Sequence, residues 1–469
     1  MRKTKIIATI GPATRNPDVL EQLLLAGMDC ARLNFSHGTL EEHAQIIRDL
    51  RRLSNAHQRP LAILQDLGGI KLRLGEMRGT YRLETGDSIT LTPEVSSDRE
   101  DALPFPHPEI LSRLGPGAFV YISDGTICLE VIDRQGSEVR GRVTRGGLAS
   151  SFKGVNVPGL EMAKQQLLEQ DKIAIRFGVE HQVDWLAVSF VQTAEDIREV
   201  KGYLAKCGGS VPVMAKLEKA KALENLEEIL QEADAVMVAR GDLGVEMPMA
   251  KVPVIQKEVV RRANELTKPS VIATQMLRSM MVSPIPTRAE VSDIANAVLD
   301  GCDAILLSDE TAIGEYPVDA VKVADETIRE AEHIYPYFKE LPAHDRTQAL
   351  TSAASTLTNT LKSLPIVVTS TGRTALELSR YRPQSDILVL SHDEATLRKL
   401  SLGWGLVPIG VIHREKDIEK LVAIIVKAAL ESGLVKENDK LTIVHGHLTG
   451  VSGTTNTVQV LDLSEYLSS

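Results

Sequence analysis

Residues 5–35 read KIIATIGPATRNPDVLEQLLLAGMDCARLNF, which is a β-branched run, an amphipathic stretch of helix length and a second β-branched run. This alternation predicts a strand at Lys5–Gly11, a helix near 17–27 and a strand at Cys30–Phe35. The same pattern places a second helix near 40–57 and a third strand at Leu61–Leu67. The chain therefore begins as an α/β fold.

The alternation stops at about residue 72 and resumes after residue 153. The interval is rich in Gly, Thr and Pro, and its strand-like pieces predict a small all-β insert. Beyond it, five further strands are predicted, each followed by a helical pattern, at Asp184–Val191, Val211–Glu218, Ala235–Arg240, Pro269–Met276 and Ala304–Ser308. Three strands before the insert and five after it give eight, the number in a (β/α)₈ TIM barrel.

Residues from about 346 onward are predicted to form a further α/β unit, an open sheet covered by helices. A helix near 348–363 precedes five predicted strands at Ile366–Thr371, Asp386–Ser391, Val407–Ile412, Lys440–Val444 and Thr457–Leu463. We therefore expect three domains: a barrel at 1–71 and 154–345, an inserted β domain at 72–153, and a C-terminal three-layer α/β domain at 346–469.

Composition is that of an ordinary globular protein. The 469 residues include 53 Lys and Arg against 63 Asp and Glu, and this net charge of −10 without a basic block argues against nucleic acid or an anionic membrane as partner. No apolar run approaches the ~20 residues of a membrane span. Since Cys30, Cys128, Cys207 and Cys302 show no metal or redox spacing, we expect free thiols in the cytoplasm.

In TIM barrels the active site lies at the carboxyl ends of the strands. The polar residues predicted there are Arg32, Asn34, Ser36, Asp66, Ser189, Lys216, Glu218, Arg240, Asp242, Thr274 and Glu310. Three pairs are two residues apart, namely Arg32 with Asn34, Lys216 with Glu218, and Arg240 with Asp242. Each pair is therefore predicted to project from one side of its strand.

This set of residues suits a phosphorylated, doubly anionic substrate. Glu218 and Asp242 are expected to share one Mg²⁺, while Lys216, Arg32 and Arg73 neutralise a transferring phosphoryl group. Any one of these residues is equally well explained as a strand-end salt bridge, but six of them on four or five strands are not. Gly241-Asp242 alone is a weak signal, and Thr274 alone is as easily a cap as a proton relay.

Longer segments resemble the pyruvate kinase family, from the opening residues 3–12 to Gly453-Thr454-Thr455-Asn456. The segments that carry the resemblance are RLNFSHG at 32–38, VARGDLGVE at 238–246, ATQML at 273–277 and PTRAE at 286–290. The resemblance implies a barrel with a small β-barrel lid inserted after its third strand and a C-terminal α/β domain. It also implies transfer of the phosphoryl group of phosphoenolpyruvate to ADP in glycolysis, with Mg²⁺ or Mn²⁺, by a homotetramer.

The resemblance assigns roles residue by residue. Lys216 matches the catalytic lysine that steadies the phosphoryl group and the enolate, and Thr274 matches the threonine linked to enolate protonation. The remaining matches are Glu218 and Asp242 to metal ligands, Gly241 and Asp242 to the substrate carboxylate site, Arg32 and Arg73 to phosphate-contacting arginines, Asn34 and His37 to positions near the nucleotide, Asp124 to a lid residue, and Arg288 to a subunit contact.

One departure from the family pattern concerns a monovalent cation. The commoner family form holds K⁺ with groups matching Asn34, Ser36 and Asp66 plus a Thr, near a Glu. Here the Thr is Leu67 and the Glu is Lys71. We therefore expect the Lys71 ammonium to replace the cation and K⁺ not to be required. The alternative is that Lys71 is a solvated lysine at a strand end.

A hydroxyl-rich turn in the C-terminal domain is a candidate effector site. Thr369, Ser370, Thr371, Gly372 and Thr374 lie between a predicted strand and a helix, where hydroxyl and N–H groups suit a phosphate. The family binds phosphorylated effectors at this position, and the loop 446–456 would pair with the turn. The alternative is an ordinary capped turn.

Two other functions are weighed against a kinase. A metal-dependent lyase on pyruvate or phosphoenolpyruvate would need neither nucleotide contacts nor a lid. A catalytically silent effector-binding protein is expected to have lost some of Lys216, Glu218, Asp242 and Thr274, and the sequence retains all four.

Overall fold

The computed structural model describes residues 1–69, 72–123, 125–159, 167–446 and 455–468. Its first elements follow the predicted order: β1 (Lys5–Ile10), α1 (Pro17–Ala26), β2 (Cys30–Asn34), α2 (Leu40–Ala56) and β3 (Ala62–Asp66). Both helices begin at capping residues. The Asn16 side chain accepts the Asp18 N–H, and Thr39 forms a capping box with Glu42, so the sequence itself marks where each helix starts.

The insert is all-β apart from one short helix, as predicted. Its elements are β4 (Glu76–Met77), β5 (Tyr81–Leu83), β6 (Ser88–Thr92), β7 (Ser96–Ser97), β8 (Ala102–Pro104), α3 (Pro108–Leu111), β9 (Phe119–Ile122), β10 (Ile127–Gln135), β11 (Glu138–Arg145), β12 (Gly147–Ala149) and β13 (Val155–Asn156). The largest sheet has the order β13-β9-β10-β11-β6-β8. It encloses an apolar core of its own, which includes Leu91, Phe105 and Leu129.

Strands and helices alternate again after the insert. In order they are α4 (Glu169–Glu180), β14 (Trp185–Val188), α5 (Ala194–Lys206), β15 (Val213–Leu217), α6 (Ala220–Glu224), α7 (Leu226–Glu232), β16 (Ala235–Ala239), α8 (Arg240–Glu246), α9 (Val252–Glu265), β17 (Ser270–Ala273), α10 (Arg288–Asp300), β18 (Ala304–Leu307), α11 (Asp309–Ala312) and α12 (Pro317–Glu332). Short 3₁₀ turns at Met249–Lys251 and Arg278–Met281 complete this part.

Eight strands close into one parallel barrel, in the order β1-β18-β17-β16-β15-β14-β3-β2. Alternate side chains fill its interior, including Ile7, Leu64 and Met237, while a second apolar layer joins the strands to the surrounding helices. The predicted barrel is confirmed. Its strands are shorter than predicted, since β14 ends at Val188 and Phe190, with φ of 57°, already turns away.

The C-terminal unit is a three-layer α/β fold, as predicted. Its elements are α13 (Arg346–Leu361), β19 (Leu364–Thr369), α14 (Arg373–Ser379), β20 (Ile387–Ser391), α15 (Glu394–Leu400), β21 (Leu406–Val411), α16 (Ile418–Glu431), β22 (Lys440–Gly446), β23 (Thr455–Asp462) and α17 (Leu463–Tyr466). The sheet has the order β21-β20-β19-β22-β23. Apolar clusters cover both of its faces.

The C-terminal unit packs against the amino-terminal end of the barrel. Leu402 joins the apolar cluster inside the barrel, and the Trp185 indole donates to the Lys399 carbonyl at 3.1 Å. A buried ion pair joins Arg398 Nε to Asp184 Oδ1 at 2.9 Å, next to β14. These contacts leave the carboxyl end of the barrel open for a site. Among the residues described, the helices are all too short or too polar to traverse a bilayer.

Candidate active site

The predicted strand-end side chains meet at the carboxyl end of the barrel. Parallel pairing sets Arg32 of β2 beside Thr9 of β1, and Asn34 beside Asp66 of β3. Because alternate residues of a strand face the same way, the register brings charged side chains from neighbouring strands together. Lys216, at the end of β15, completes the group.

Lys216 is the centre of this cluster. Its Nζ lies 2.7 Å from Ser189 Oγ, 3.0 Å from Glu218 Oε1 and 3.2 Å from Asp66 Oδ1. An ammonium has three donors, so every proton on Lys216 Nζ has a partner. The side chain is 11% exposed, which leaves one side accessible from the barrel mouth.

Arg32 shares Asp66 with Lys216. Arg32 Nε donates to Asp66 Oδ2 at 2.7 Å, and Arg32 Nη1 donates to Thr9 Oγ1 at 3.0 Å. One buried carboxylate thus holds two cations side by side, and both are oriented before any substrate arrives. Such preorganised positive charge suits a substrate that gains or moves negative charge during reaction.

Burial and neighbouring charge shift the pKa values in opposite directions. Burial raises the pKa of Glu218. The Lys216 charge lowers this pKa and the nearby Asp242 carboxylate raises it, and the net pKa is raised. For Lys216, burial lowers the pKa, but the charges of Asp66 and Glu218 outweigh it and the net pKa is raised. The pKa of Asp66 is lowered, because Lys216 and Arg32 more than offset the effect of burial. Lys216 and Asp66 are therefore both charged at neutral pH.

Glu218 is fixed by the chain turn after β14. Its Oε2 accepts the Phe190 N–H at 2.7 Å, and its side chain is only 2% exposed. The left-handed conformation of Phe190 points that N–H at the carboxylate. Asp196, by contrast, caps α5 through the N–H groups of Gln192 and Thr193 and is not in the cluster.

The chemistry of Glu218 and Asp242 fits a hard divalent cation. Their charges interact, so the two carboxylates lie near each other. Within the described ranges, no group of three or more His, Cys, Asp or Glu side chains forms a complete metal cage. A pair of carboxylates with remaining positions open to substrate oxygens and water is the arrangement that Mg²⁺ commonly uses.

Thr274 lies beside Gly241 at the next strand ends. Thr274 Oγ1 accepts the Gly241 N–H at 2.8 Å, and the Thr274 backbone has φ of 73°. A threonine in this left-handed region costs about 1–3 kcal/mol, a strain that is found at functional sites. The hydroxyl proton of Thr274 remains available, since that bond uses the oxygen only as an acceptor.

The prediction that Arg240 and Asp242 share one side of a strand is wrong. Strand β16 ends at Ala239 and α8 begins at Arg240, so the alternation of a strand does not apply to the pair. The Arg240 guanidinium instead turns to α10, where it binds both oxygens of Asp293 at 2.8 and 2.7 Å. Arg240 therefore holds the loop in place, away from Lys216.

Other predicted residues lie outside this cluster. Arg73 donates to the Phe152 carbonyl within the insert at 3.0 Å, and His37 is exposed on the loop after β2. Asn34 Oδ1 accepts the N–H of the exposed Ser36 at 3.1 Å. Lys71 and Asp124 fall outside the described residues.

The hydroxyl-rich turn lies in the C-terminal domain, between β19 and α14. Thr369 Oγ1 accepts the Gly372 N–H at 3.0 Å, and the Ser370 carbonyl accepts the Thr396 hydroxyl at 3.2 Å. Thr374 Oγ1 lies 2.7 Å from Thr455 Oγ1, at the start of β23, and the side chain of Thr371 is exposed. The turn is thus tied to the end of loop 446–456, of which 447–454 are outside the described residues.

Sequence reasoning named Ser189 as a strand-end residue but missed its role, and it missed Thr9 entirely. Ser189 Oγ donates to the Leu67 carbonyl at 2.8 Å while it accepts from Lys216, and Thr9 orients Arg32. Thr9 lies in the opening segment that resembles the family, but nothing in the sequence sets this threonine apart from the other residues of the strand. Only the pairing of β1 with β2 identifies it.

Comparison with known proteins places the chain in a family. Residues 1–321 match the family model "Pyruvate kinase, barrel domain" and residues 348–461 match "Pyruvate kinase, alpha/beta domain". Pyruvate kinase 2 of Synechocystis sp. is 41% identical over 98% of this chain and 79% of the relative. The pyruvate kinase of Agrobacterium vitis is 40% identical over 99% and 97%, and that of Thermococcus litoralis 37% over 98% and 98%. With both family models matched in order, and relatives aligned over nearly its whole length, the chain belongs to the pyruvate kinase family.

Proposed function

We propose that this enzyme transfers the phosphoryl group of phosphoenolpyruvate to ADP, giving pyruvate and ATP in glycolysis. The observation that carries the proposal is Lys216, held by Ser189, Asp66 and Glu218 beside Arg32 at the barrel mouth of a pyruvate kinase family member. Neither the lyase nor the silent binder is favoured, because the kinase assignment accounts for the cations, the carboxylates and the inserted domain together.

Two cations are proposed to act on the phosphoryl group. An oxygen of the ADP β-phosphate attacks phosphorus while the bond from phosphorus to the enol oxygen breaks, which leaves the enolate of pyruvate. Lys216 and Arg32 offset the negative charge that spreads over the transferring group, and Arg73 is proposed to contribute when the insert approaches. Asp66 already holds Lys216 and Arg32 side by side, so the substrate meets both cations once Lys216 exchanges one of its present contacts.

Glu218 and Asp242 are proposed to hold Mg²⁺ or Mn²⁺. When bound, the cation supplies positive charge that polarises phosphoryl and enol oxygens. Gly241 and Asp242 are proposed to receive the substrate carboxylate through their backbone N–H groups, with the Gly241 N–H turning from Thr274 Oγ1 to the carboxylate when the substrate binds. Asn34 and His37 are proposed to contact the nucleotide. Closure of the insert, with Asp124, would exclude water and so limit hydrolysis.

Thr274 is proposed to protonate the enolate. Its oxygen accepts a hydrogen bond from the Gly241 N–H in the absence of substrate, so the hydroxyl proton can pass to the enolate carbon while a solvent water returns a proton to the threonine oxygen. Protonation at carbon converts the enolate to pyruvate and makes transfer effectively irreversible in that direction. The strained backbone of Thr274 supports a functional role over a simple cap.

We further propose that the enzyme needs no K⁺, with the Lys71 ammonium in place of the cation. Support comes from the two departing positions: the Leu67 side chain has no oxygen to bind a cation where the commoner family pattern has a threonine, and Lys71 brings a positive charge where that pattern has a glutamate.

Allosteric regulation is proposed at Thr369, Ser370, Thr371, Gly372 and Thr374 through a phosphorylated effector. The bond between Thr374 and Thr455 supports a site shared by the turn and the loop before β23. A homotetramer is also proposed, with a contact at Arg288. Just before this residue Val282 and Ile285 are 73% and 72% exposed, an apolar surface that a second subunit would cover.

We propose the domain limits that the sequence predicts: a barrel at 1–71 and 154–345, a lid at 72–153 and a C-terminal domain at 346–469. We also propose that the protein is located in the cytoplasm. Four free cysteines, three of them buried, support a reducing compartment.

A coupled assay for pyruvate formation from phosphoenolpyruvate and ADP tests the function. Wild-type protein should turn over, and Lys216→Met should lower kcat by about 10²–10³ or more, the effect of losing a preorganised charge donor. Circular dichroism of the variant should match the wild type. Near-normal turnover by a folded Lys216→Met variant would remove Lys216 from catalysis.

A further inference from the structure

A mostly buried ion pair lies beside the two carboxylates that are proposed to hold the metal. Lys219 Nζ lies 2.6 Å from Glu246 Oε1, and the two side chains are 18% and 4% exposed. Lys219 directly follows Glu218 in the chain, and Glu246 belongs to the same short helix, α8, as Asp242. The pair therefore joins the two segments that carry Glu218 and Asp242.

Asp242 and Glu246 lie on one face of α8. They are four residues apart, so their side chains project from the same side of the helix, one turn from each other. The helix begins at Arg240, whose guanidinium binds Asp293 of α10 and so fixes the first turn. The helix ends at Glu246. The bond from Lys219 thus fixes the end of α8 that Arg240 does not hold.

Lys219 also contacts the turn that orients Glu218. Its ammonium nitrogen lies 5.9 Å from the centroid of the Phe190 ring, within the range of a cation–π contact. The Phe190 N–H donates to Glu218 Oε2 at 2.7 Å. One side chain thus connects the turn that holds Glu218 with the helix that carries Asp242.

The two proposed metal ligands repel each other when no cation lies between them. The charges of Glu218 and Asp242 interact, and two like charges at one site favour either separation or the loss of one charge. A contact that ties their two segments together opposes the separation. Because the ion pair between Lys219 and Glu246 is mostly buried, salt in the solvent screens it much less than an exposed pair.

We propose that the ion pair between Lys219 and Glu246 positions Glu218 and Asp242 for the divalent cation. It holds the two carboxylates close together before the cation arrives, so that binding needs little rearrangement. Groups that orient metal ligands typically change metal affinity by about 10- to 100-fold when they are lost. The inference rests on the proposed metal site, and neither member of the ion pair is proposed to touch the cation or the substrate.

A role through position and a role through charge alone predict opposite effects for Lys219. If only charge mattered, loss of the Lys219 ammonium would leave Glu246 as an added negative charge, and the site would bind a cation more tightly. If position matters, the same change frees the end of α8, and the site binds a cation more weakly. Replacement of both residues by Met leaves the net charge unchanged, so any loss of affinity then reflects position.

Binding of Mn²⁺ to the full-length enzyme without substrates provides the test. The electron paramagnetic resonance signal of free Mn²⁺ reports binding directly and requires no turnover. Lys219→Met and the double variant Lys219→Met/Glu246→Met should each weaken Mn²⁺ binding by about tenfold or more. Proteins often tolerate the replacement of a buried ion pair by apolar residues of similar volume, so the double variant should fold even if the single variant does not.

Three further variants complete the test. Lys219→Arg keeps a cation that can reach Glu246 and should recover most of the affinity. Glu218→Gln removes a proposed ligand and should weaken binding, which shows that the measured Mn²⁺ is at this site. Lys201→Met is the matched control, because Lys201 Nζ is also ion-paired, 3.1 Å from Asp234 Oδ2, but at the amino-terminal end of the barrel. It should bind Mn²⁺ like the wild type.

Unchanged or tighter Mn²⁺ binding by the double variant, or an equal loss in Lys201→Met, would overturn the proposal. Such a result, with wild-type binding that depends on Glu218, would leave the proposed function untouched. A wild type that binds no Mn²⁺, or binding that Glu218→Gln does not weaken, would instead overturn the metal assignment and this inference with it.

Discussion

The Lys216 ammonium lies 2.7 Å from the Ser189 hydroxyl, which in turn donates its proton to the Leu67 carbonyl at 2.8 Å. Ser189 thus fixes the direction of Lys216 from the neighbouring strand β14. When phosphoenolpyruvate binds, Lys216 must give up some of its contacts with Asp66 or Glu218. The Ser189 hydroxyl is neutral, so Lys216 can keep this contact while its positive charge acts on the substrate.

Ser189→Ala should therefore lower kcat by about 10- to 100-fold and change the KM for phosphoenolpyruvate much less. The range corresponds to loss of a hydrogen bond to a charged group, about 1.5–3 kcal/mol. Ser189→Thr keeps the hydroxyl and should recover most of kcat. Steady-state kinetics of both variants check this; an equal loss in Ser189→Thr, or a change in KM alone, would contradict a positioning role for the hydroxyl.

Fold and site differ in how far sequence could predict them. The order of β1 to β3 and β14 to β18 follows from local periodicity, and the residues at strand ends follow from the barrel. Arg240 was misplaced because a helix begins one residue after β16, a boundary that local pattern does not resolve. The bond from Arg32 to Thr9 depends on strand register, and the left-handed backbone of Thr274 depends on tertiary contacts. Neither the bond nor the backbone conformation leaves a signal in the local sequence.

Removing one metal carboxylate should weaken Mg²⁺ activation. Glu218→Gln and Asp242→Asn each replace an anionic oxygen by a neutral one, and each should raise the Mg²⁺ concentration for half-maximal activity by at least about tenfold. Mg²⁺ titrations of pyruvate formation measure the effect. Asp309→Asn, which changes an exposed carboxylate after β18, is the control and should leave the titration unchanged. A variant whose titration matches the wild type would exclude that carboxylate as a ligand.

Acid stability should depend on Asp29 at the amino-terminal end of the barrel. Burial alone would raise its pKa, but Arg2, at 2.7 Å, together with Lys5 and Arg59 lowers the pKa to about 2. A depressed pKa stabilises the folded state above the unfolded value of about 4, and this contribution is lost as the pH falls toward 2. Asp29→Asn should therefore cost about 2 kcal/mol at pH 7, and progressively less below pH 4.

Urea unfolding of Asp29→Asn and wild type at several pH values measures this difference. Asp98→Asn, at an exposed position in the insert, is the control and should unfold like the wild type. A destabilisation of Asp29→Asn that stayed constant down to pH 2 would show that its charge is not the cause.

The effector turn should couple to substrate affinity. A sugar phosphate or nucleotide should lower the apparent KM for phosphoenolpyruvate, and Thr371→Ala and Thr374→Ala should blunt this response while basal turnover persists. Thr371 offers an exposed hydroxyl, whereas Thr374 ties the turn to Thr455, so the two variants test contact and loop position separately. If no phosphorylated metabolite altered the kinetics, or if both variants responded normally, the turn would not be the effector site.

Catalysis should proceed without K⁺. The Leu67 side chain offers no oxygen where the commoner family pattern has a threonine that binds the cation. An ammonium carries the same single positive charge as K⁺, so Lys71 would supply the missing charge without the entropic cost of recruiting an ion. Pyruvate formation in buffer free of K⁺ and NH₄⁺ should therefore equal that with added KCl, with choline chloride used to hold ionic strength constant.

Restoring the residues of the commoner family pattern at positions 67 and 71 should make activity depend on K⁺. Lys71→Glu combined with Leu67→Thr restores the carboxylate and the threonine of the commoner family pattern, and the double variant should be nearly inactive until KCl is added. Lys436→Glu, an exposed charge reversal in the C-terminal domain, controls for the change in net charge and should not respond to KCl. Strong activation of the wild type by K⁺ at saturating Mg²⁺ would mean that Lys71 does not replace the cation and is instead a solvated lysine.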